Sequence, residues 1–317
     1  MLEEYEYYAK EEQKVLKISI FFTGLLCIVG LTVGTMAKAT SIIFDSFYAG
    51  VDCFFSIAAF FISRLIFLDA MPQQRKKPHF IKRFHHGFWH LEPIVLMINS
   101  GCLILASFYG LFEAICKIRS GGGIPDLGPA VGFSLGALIM SFAMATYQRV
   151  KNKKIQSDFI AVDEKGWLIS AGISSALFIA FILAYFLSGT EHAYIIPYID
   201  PAILIFIICF ILPAPVKILG KAIADILLIT PLEREKEIKA IIDQVVCKYG
   251  FLRAHHYVAV AGRALMIEIH IVVPKDYEIS SVSFFDEVRE ELGKAIGDEG
   301  PDRWFVVSFT ADEKWAV

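Results

Sequence analysis

The sequence has neither the spacing of a disulfide framework nor that of a zinc knuckle. Its six cysteines, Cys27, Cys53, Cys102, Cys116, Cys209 and Cys247, form no CxxC pair. Five of them stand in apolar runs, where cysteine behaves as a small hydrophobe. Charge of one sign is missing too: 30 Lys and Arg against 33 Asp and Glu leave a formal net charge of -3. That balance argues against nucleic acid as a partner. The opening stretch from Met1 to Glu6 is acidic, so a cleaved signal peptide, which starts basic, is not expected. There is no internal repeat and no low-complexity stretch. No nucleophile–base pair or metal-hydrolase spacing appears, so an enzyme is not expected either.

What is present in excess is apolar. The hydrophobic share is 56% and the mean hydropathy is +0.56, above the roughly 45–50% of soluble chains. The excess lies before residue 220, and from Pro231 onward the chain reads as ordinary soluble sequence. Two domains are therefore expected, a membrane domain over residues 1–224 and a soluble one over 225–317. A helix that crosses the hydrocarbon layer needs roughly 20 mostly apolar residues. Six stretches qualify: Ile18–Met36, Ile42–Leu68, Pro93–Cys116, Pro129–Tyr147, Gly166–Leu187 and Pro201–Leu219.

The loops sort by charge. Lys10, Lys14 and Lys17 precede the first span; Arg75, Lys76, Lys77, Lys82 and Arg83 follow the second; Arg149, Lys151, Lys153 and Lys154 follow the fourth. The opposite loops carry only Lys38, then Lys117 and Arg119, then no Lys or Arg between Ser188 and Asp200. Positive residues stay inside, which places both termini in the cytoplasm. A prokaryotic inner membrane is the expected location.

In the tail, Ile238, Ile241, Ile242, Val245 and Val246 recur at helical spacing. Leu265, Ile267, Ile269 and Ile271 alternate with Met266, Glu268, His270 and Val272, the period of a strand. Ala261-Gly262-Arg263 reads as a hairpin turn between two strands. A second helix over Phe284 to Ile296 and a short strand over Trp304 to Phe309 complete an α-β-β-α-β order. The fold class is a six-helix membrane bundle followed by a small α+β domain.

Ionisable groups inside membrane spans are costly and are functional candidates by default. The second span carries Asp45, Tyr48 and Asp52, whose spacings of three and four place them on one helix face. The fifth segment opens with Asp163-Glu164-Lys165 and carries Ser170 two turns on. Other polar groups have blander readings. Glu113 and Lys117 are expected to pair at i,i+4 near a helix end. Asp200-Pro201 reads as a helix N-cap with Pro in the first turn. Asn99 can serve as interhelical glue.

Four segments carry a family resemblance. They are Phe44-Asp45-Ser46-Phe47-Tyr48-Ala49-Gly50-Val51-Asp52, the stretch Arg83 to Pro93 ending in Glu92-Pro93, Val162-Asp163, and Asp200-Pro201. The tail adds Ala254-His255-His256 and Ile267-Glu268-Ile269-His270. With these the chain resembles the cation diffusion facilitators. The resemblance implies six helices, both ends cytoplasmic, and a cytosolic C-terminal ferredoxin-like domain of metallochaperone type. It also implies a homodimer that exports a divalent cation in exchange for protons, with the cation as cargo and no resident cofactor.

Carried over residue by residue, the family's transport ligands fall on Tyr48 and Asp52 in the second helix and on Gly166 and Ser170 in the fifth, where His and Asp are usual. Further ligand positions of the family fall on Phe88, Ser283, Ser308 and Thr310, while His255 and His270 remain. A phenol with an unperturbed pKa of about 10 is neutral at pH 7, so Tyr48 and Asp52 together supply about one negative charge. No imidazole or thiolate is available. The set leans from tight zinc binding toward harder ions such as Mn or Fe(II). Asp45 and Asp163 each stand one turn before a family ligand position and are the expected compensating carboxylates. The expected site is thus Tyr48, Asp52, Asp45, Asp163 and Ser170. Two alternatives stay open, a non-transporting scaffold or partner and a carrier of another cation. His79, His85, His86 and His90 lie in the basic second loop, where they touch anionic lipid headgroups or collect metal. His255 and His256 open a strand, so adjacent side chains point to opposite faces.

Overall fold

A computed structural model describes residues 2–70, 88–155, 158–230, 232–262, 264–278, 281–297 and 303–316. The membrane region consists of α1 (Leu2–Ala37), α2 (Thr40–Ala70), α3 (Leu91–Arg119), α4 (Leu127–Ile155), α5 (Asp158–Leu187), α6 (Ile196–Ile211) and α7 (Pro213–Ile226). Six stretches of these helices are long and apolar enough to cross a membrane. The sixth, Glu191–Ile226, opens with a 3-10 turn over Glu191–Ile195 and is divided between α6 and α7 at Leu212. Pro213, opening α7, brings no N–H, so the hydrogen-bond ladder is interrupted there. Most of the helices outrun the apolar runs read from sequence. The polar residues of their ends continue the helix because backbone hydrogen bonding does not stop where hydropathy does.

Chain contacts divide the protein into two compact units, Met1–Ala58 with Asn99–Lys217, and Ala59–Ile98 with Ile218–Val317. In the first, α1 ends in a Schellman turn: Ala39 N donates to Gly34 O at 3.0 Å and Lys38 N to Thr35 O at 3.3 Å. Lys38 takes the left-handed conformation this turn requires, with φ 55°. The turn brings α2 back against α1 at two glycines. A Cβ on Gly30 would lie 1.9 Å from Ser46 Oγ, and one on Gly34 would lie 3.0 Å from the backbone nitrogen of Ile43. Small residues admit such close approach, which drives helix pairing where lipid supplies no hydrophobic force. A buried apolar cluster of Ile42, Phe44, Leu177, Phe181, Leu204 and Ile208 fills the centre of this unit.

The second unit contains the C-terminal domain, α8 (Leu232–Tyr249), β1 (Arg253–Ala261), β2 (Ala264–Val272), α9 (Val282–Ile296) and β3 (Arg303–Thr310). The element order is the α-β-β-α-β expected from sequence. β1 and β2 are antiparallel, and β3 joins β2 in parallel after the α9 crossover. Ile267, Ile269 and Ile271 are fully buried and alternate with partly exposed neighbours. They pack on Ile238, Ile242 and Val245 of α8 and on Val288, Leu292 and Ile296 of α9. Two helices thus cover one face of a three-stranded sheet. Near the start of α3, Phe88 is buried among Ile62, Leu65, Trp89 and Leu91.

Candidate functional site

On α2 the spacing of Asp45, Tyr48 and Asp52 is realised as continuous helix. Tyr48 packs against the central apolar cluster, its ring 6.0 Å from that of Phe44. The backbone of Asp52 belongs to α2, while its side chain lies outside the described residues. His79, His85 and His86 also lie outside them.

On α5 the candidates are turned toward α4. Asp163 accepts a hydrogen bond from Gln148 Nε2 at 2.5 Å. Ser170 Oγ lies 3.1 Å from Ser141 Oγ. Seven residues separate the two partners on each helix, so the pairs occupy the same stripe of an antiparallel contact. Gly166 is exposed, and a Cβ there would meet no heavy atom within 4 Å. Beside it, Trp167 is buried and donates from Nε1 to Ser19 Oγ of α1 at 2.7 Å. The structure thus gathers Asp163 and Ser170 on the α4 side of α5. Gln148, Ser141 and Ser19 were not singled out from sequence. A signal existed: Ser134, Ser141 and Gln148, all fully buried, recur every seven residues along α4.

Asp200 departs from its expected role. It lies inside α6, one residue before the internal Pro201, and it caps a different helix. Its carboxylate, 1% exposed, accepts from Thr40 N at 2.9 Å, Ser41 N at 3.1 Å and Ser41 Oγ at 2.6 Å. These are the first donors of α2, which an N-terminal anion satisfies. Lys117 also differs from expectation: its Nζ sits 3.5 Å from Asp200 Oδ2 and hydrogen-bonds Thr40 Oγ1, rather than pairing with Glu113. The buried Asp200 carboxylate outcompetes the half-buried i,i+4 partner Glu113, because the pair gains more where water is excluded.

In the C-terminal domain His255 and His270 are register partners, and His270 Nδ1 lies 2.6 Å from Ser308 Oγ. His255 Nε2 is 3.7 Å from Glu313, which Arg253 holds more closely at 2.7 Å. His256 is one residue away on the other face, 4.0 Å from Glu235 of α8. On the helical side, Lys248 and Tyr249 both hydrogen-bond Glu291 at 2.7 Å. The Lys248 ammonium, then the Tyr249 hydroxyl, hold the Glu291 carboxyl below the usual range. Donation to that carboxylate pushes the Tyr249 phenol up.

Among the described residues, no three His, Cys, Asp or Glu side chains converge as a metal cluster. A family model described as the cation efflux transmembrane domain matches residues 16–227. No curated protein matches the chain.

Proposed function

The chain belongs to the cation efflux family, and we propose that it is a transporter that exports a hard divalent cation, of the Mn or Fe(II) kind, in exchange for protons. The observation that carries this reading is the family's transmembrane domain with α2 carrying Asp45-x2-Tyr48-x3-Asp52 intact. Oxygen donors of this kind favour hard ions over zinc. Asp52 is the principal ligand, Tyr48 and Ser170 are weak ones, and Asp45 and Asp163 are ion or proton relays. The positive loops support a cytoplasmic position for both termini and the C-terminal domain, and in this reading that domain pairs two copies of the chain. Alternating access rocks helices about a site near the midplane.

The departures at Gly166 and Ser170 favour one rival. With no side chain at one family ligand position, and a serine hydroxyl bonded to Ser141 at the other, the site could serve a non-transporting partner protein. Proteoliposomes with an internal pH dye separate the two readings. The assay is run with Zn, Mn, Fe(II), Co and Cd on wild type and Asp52→Ala. Transport predicts flux of one ion with opposing proton movement, abolished by Asp52→Ala. Absence of flux for every ion, from folded protein, would refute transport and favour the rival.

A further inference from the structure

Gln148 is fully buried on α4, and its amide is only half satisfied. A carboxylate accepts and cannot donate, so the NH2 end of the amide must face Asp163, as it does at 2.5 Å. That contact fixes the orientation of the other end. The Gln148 Oε1 atom is then a buried acceptor without a donor. Leaving such an atom unpaired costs on the order of 1–3 kcal/mol, and native structures keep few of them without a reason.

We propose that Gln148 Oε1 and the Asp163 carboxylate form a cation site between α4 and α5, a way-station that takes a hard divalent ion such as Mn2+. The proposal deepens the transport reading and rests on it for the choice of ion. The donors are an amide carbonyl oxygen and a carboxylate, all oxygen, which suit Mg, Ca and Mn and not thiophilic metals. One carboxylate neutralises half the charge of a divalent ion, so the site holds its ion weakly and can release it. Seven residues further along both helices, about 10 Å at 1.5 Å per residue, the Ser141 and Ser170 hydroxyls face each other. They form a second, neutral oxygen rung on the same stripe. Ser134, a further seven residues along α4, continues it as a buried hydroxyl. Apart from these rungs, the buried positions of α4 are Ala130, Ala137, Met144 and Ala145, so the polar atoms are confined to one line.

The test is equilibrium Mn2+ binding to the purified full-length protein, read by electron paramagnetic resonance. Wild type is compared with Gln148→Leu, Gln148→Glu and Asp52→Ala, each checked for folding by thermal melting. Loss of a supporting oxygen should weaken Mn2+ binding roughly 10–100-fold in Gln148→Leu. Gln148→Glu separates a ligand from a mere hydrogen-bond donor. Once ionised it cannot donate to Asp163, so weaker binding at a pH where both carboxyls are ionised would show that the amide only positions that carboxylate and would overturn the proposal. Tighter binding is expected. Asp52→Ala should lose the Mn2+ held at that transport ligand and keep the Gln148-dependent ion. Unchanged affinity in Gln148→Leu, or no saturable binding to wild type, also overturns the site. Flux in proteoliposomes judges the transport reading separately. Gln148-dependent binding without wild-type flux keeps the site and removes that reading. Flux with Gln148-independent binding does the reverse.

Discussion

Replacing Asp200 with alanine removes the anion that closes the first turn of α2. Three donors lose their acceptor, namely Thr40 N, Ser41 N and Ser41 Oγ, and Lys117 loses its carboxylate. An N-cap alone is worth about 0.5–2 kcal/mol. Breaking a buried charge pair by deleting one partner costs about 3–5 kcal/mol. Lys117 keeps 27% of its side chain exposed, so water recovers part of its charge, and the lower end of that range applies. The net expectation is about 3 kcal/mol for Asp200→Ala and about 1 kcal/mol for Asp200→Asn, which keeps one acceptor for Ser41. At about 2–4 °C per kcal/mol for a large domain, thermal unfolding in detergent should fall by roughly 6–12 °C for Asp200→Ala. A double-mutant cycle with Lys117→Met isolates the pair, and the two changes should be less than additive. A melting point for Asp200→Ala within 2 °C of wild type would refute the capping argument.

Ser19→Ala strands the buried Trp167 indole N–H at about 1–3 kcal/mol and should lower the melting point; an unchanged melting point would contradict this. Gly34→Ala should lower the melting point, because its Cβ meets backbone of Ile43 at 3.0 Å, which cannot rotate aside; an unchanged melting point would show that the helices separate freely. Glu291→Gln should show a pH-dependent loss. The depressed carboxyl stabilises the fold above the unfolded glutamate value of about 4.3 and loses that contribution as pH falls through its lower folded value. The difference between variant and wild type in chemical denaturation should therefore shrink below about pH 4, and a gap that grows toward pH 3 would refute the assignment.

The sequence by itself determined the class and the number of spans, though not the break of the sixth at Leu212. Hydropathy fixes six spans because lipid offers backbone groups no partner, so each long apolar run must be helix. Period-two alternation from Leu265 to Val272 fixes a half-buried strand, since a shift by one residue would bury Glu268. The motif on α2 was legible for the same reason, as its residues are neighbours along one helix. What joins helices was not. Asp200 caps a helix 160 residues away in sequence, and its local signal, an Asp before Pro, pointed to its own helix instead. Lys117 had a partner at i,i+4 in sequence and chose one across the bundle. Gln148 stands in a basic stretch that reads as a loop boundary, yet it is fully buried. Only tertiary structure could decide these, because the energy of a buried charge or amide is set by what else the fold brings within 3 Å and by how much water it excludes.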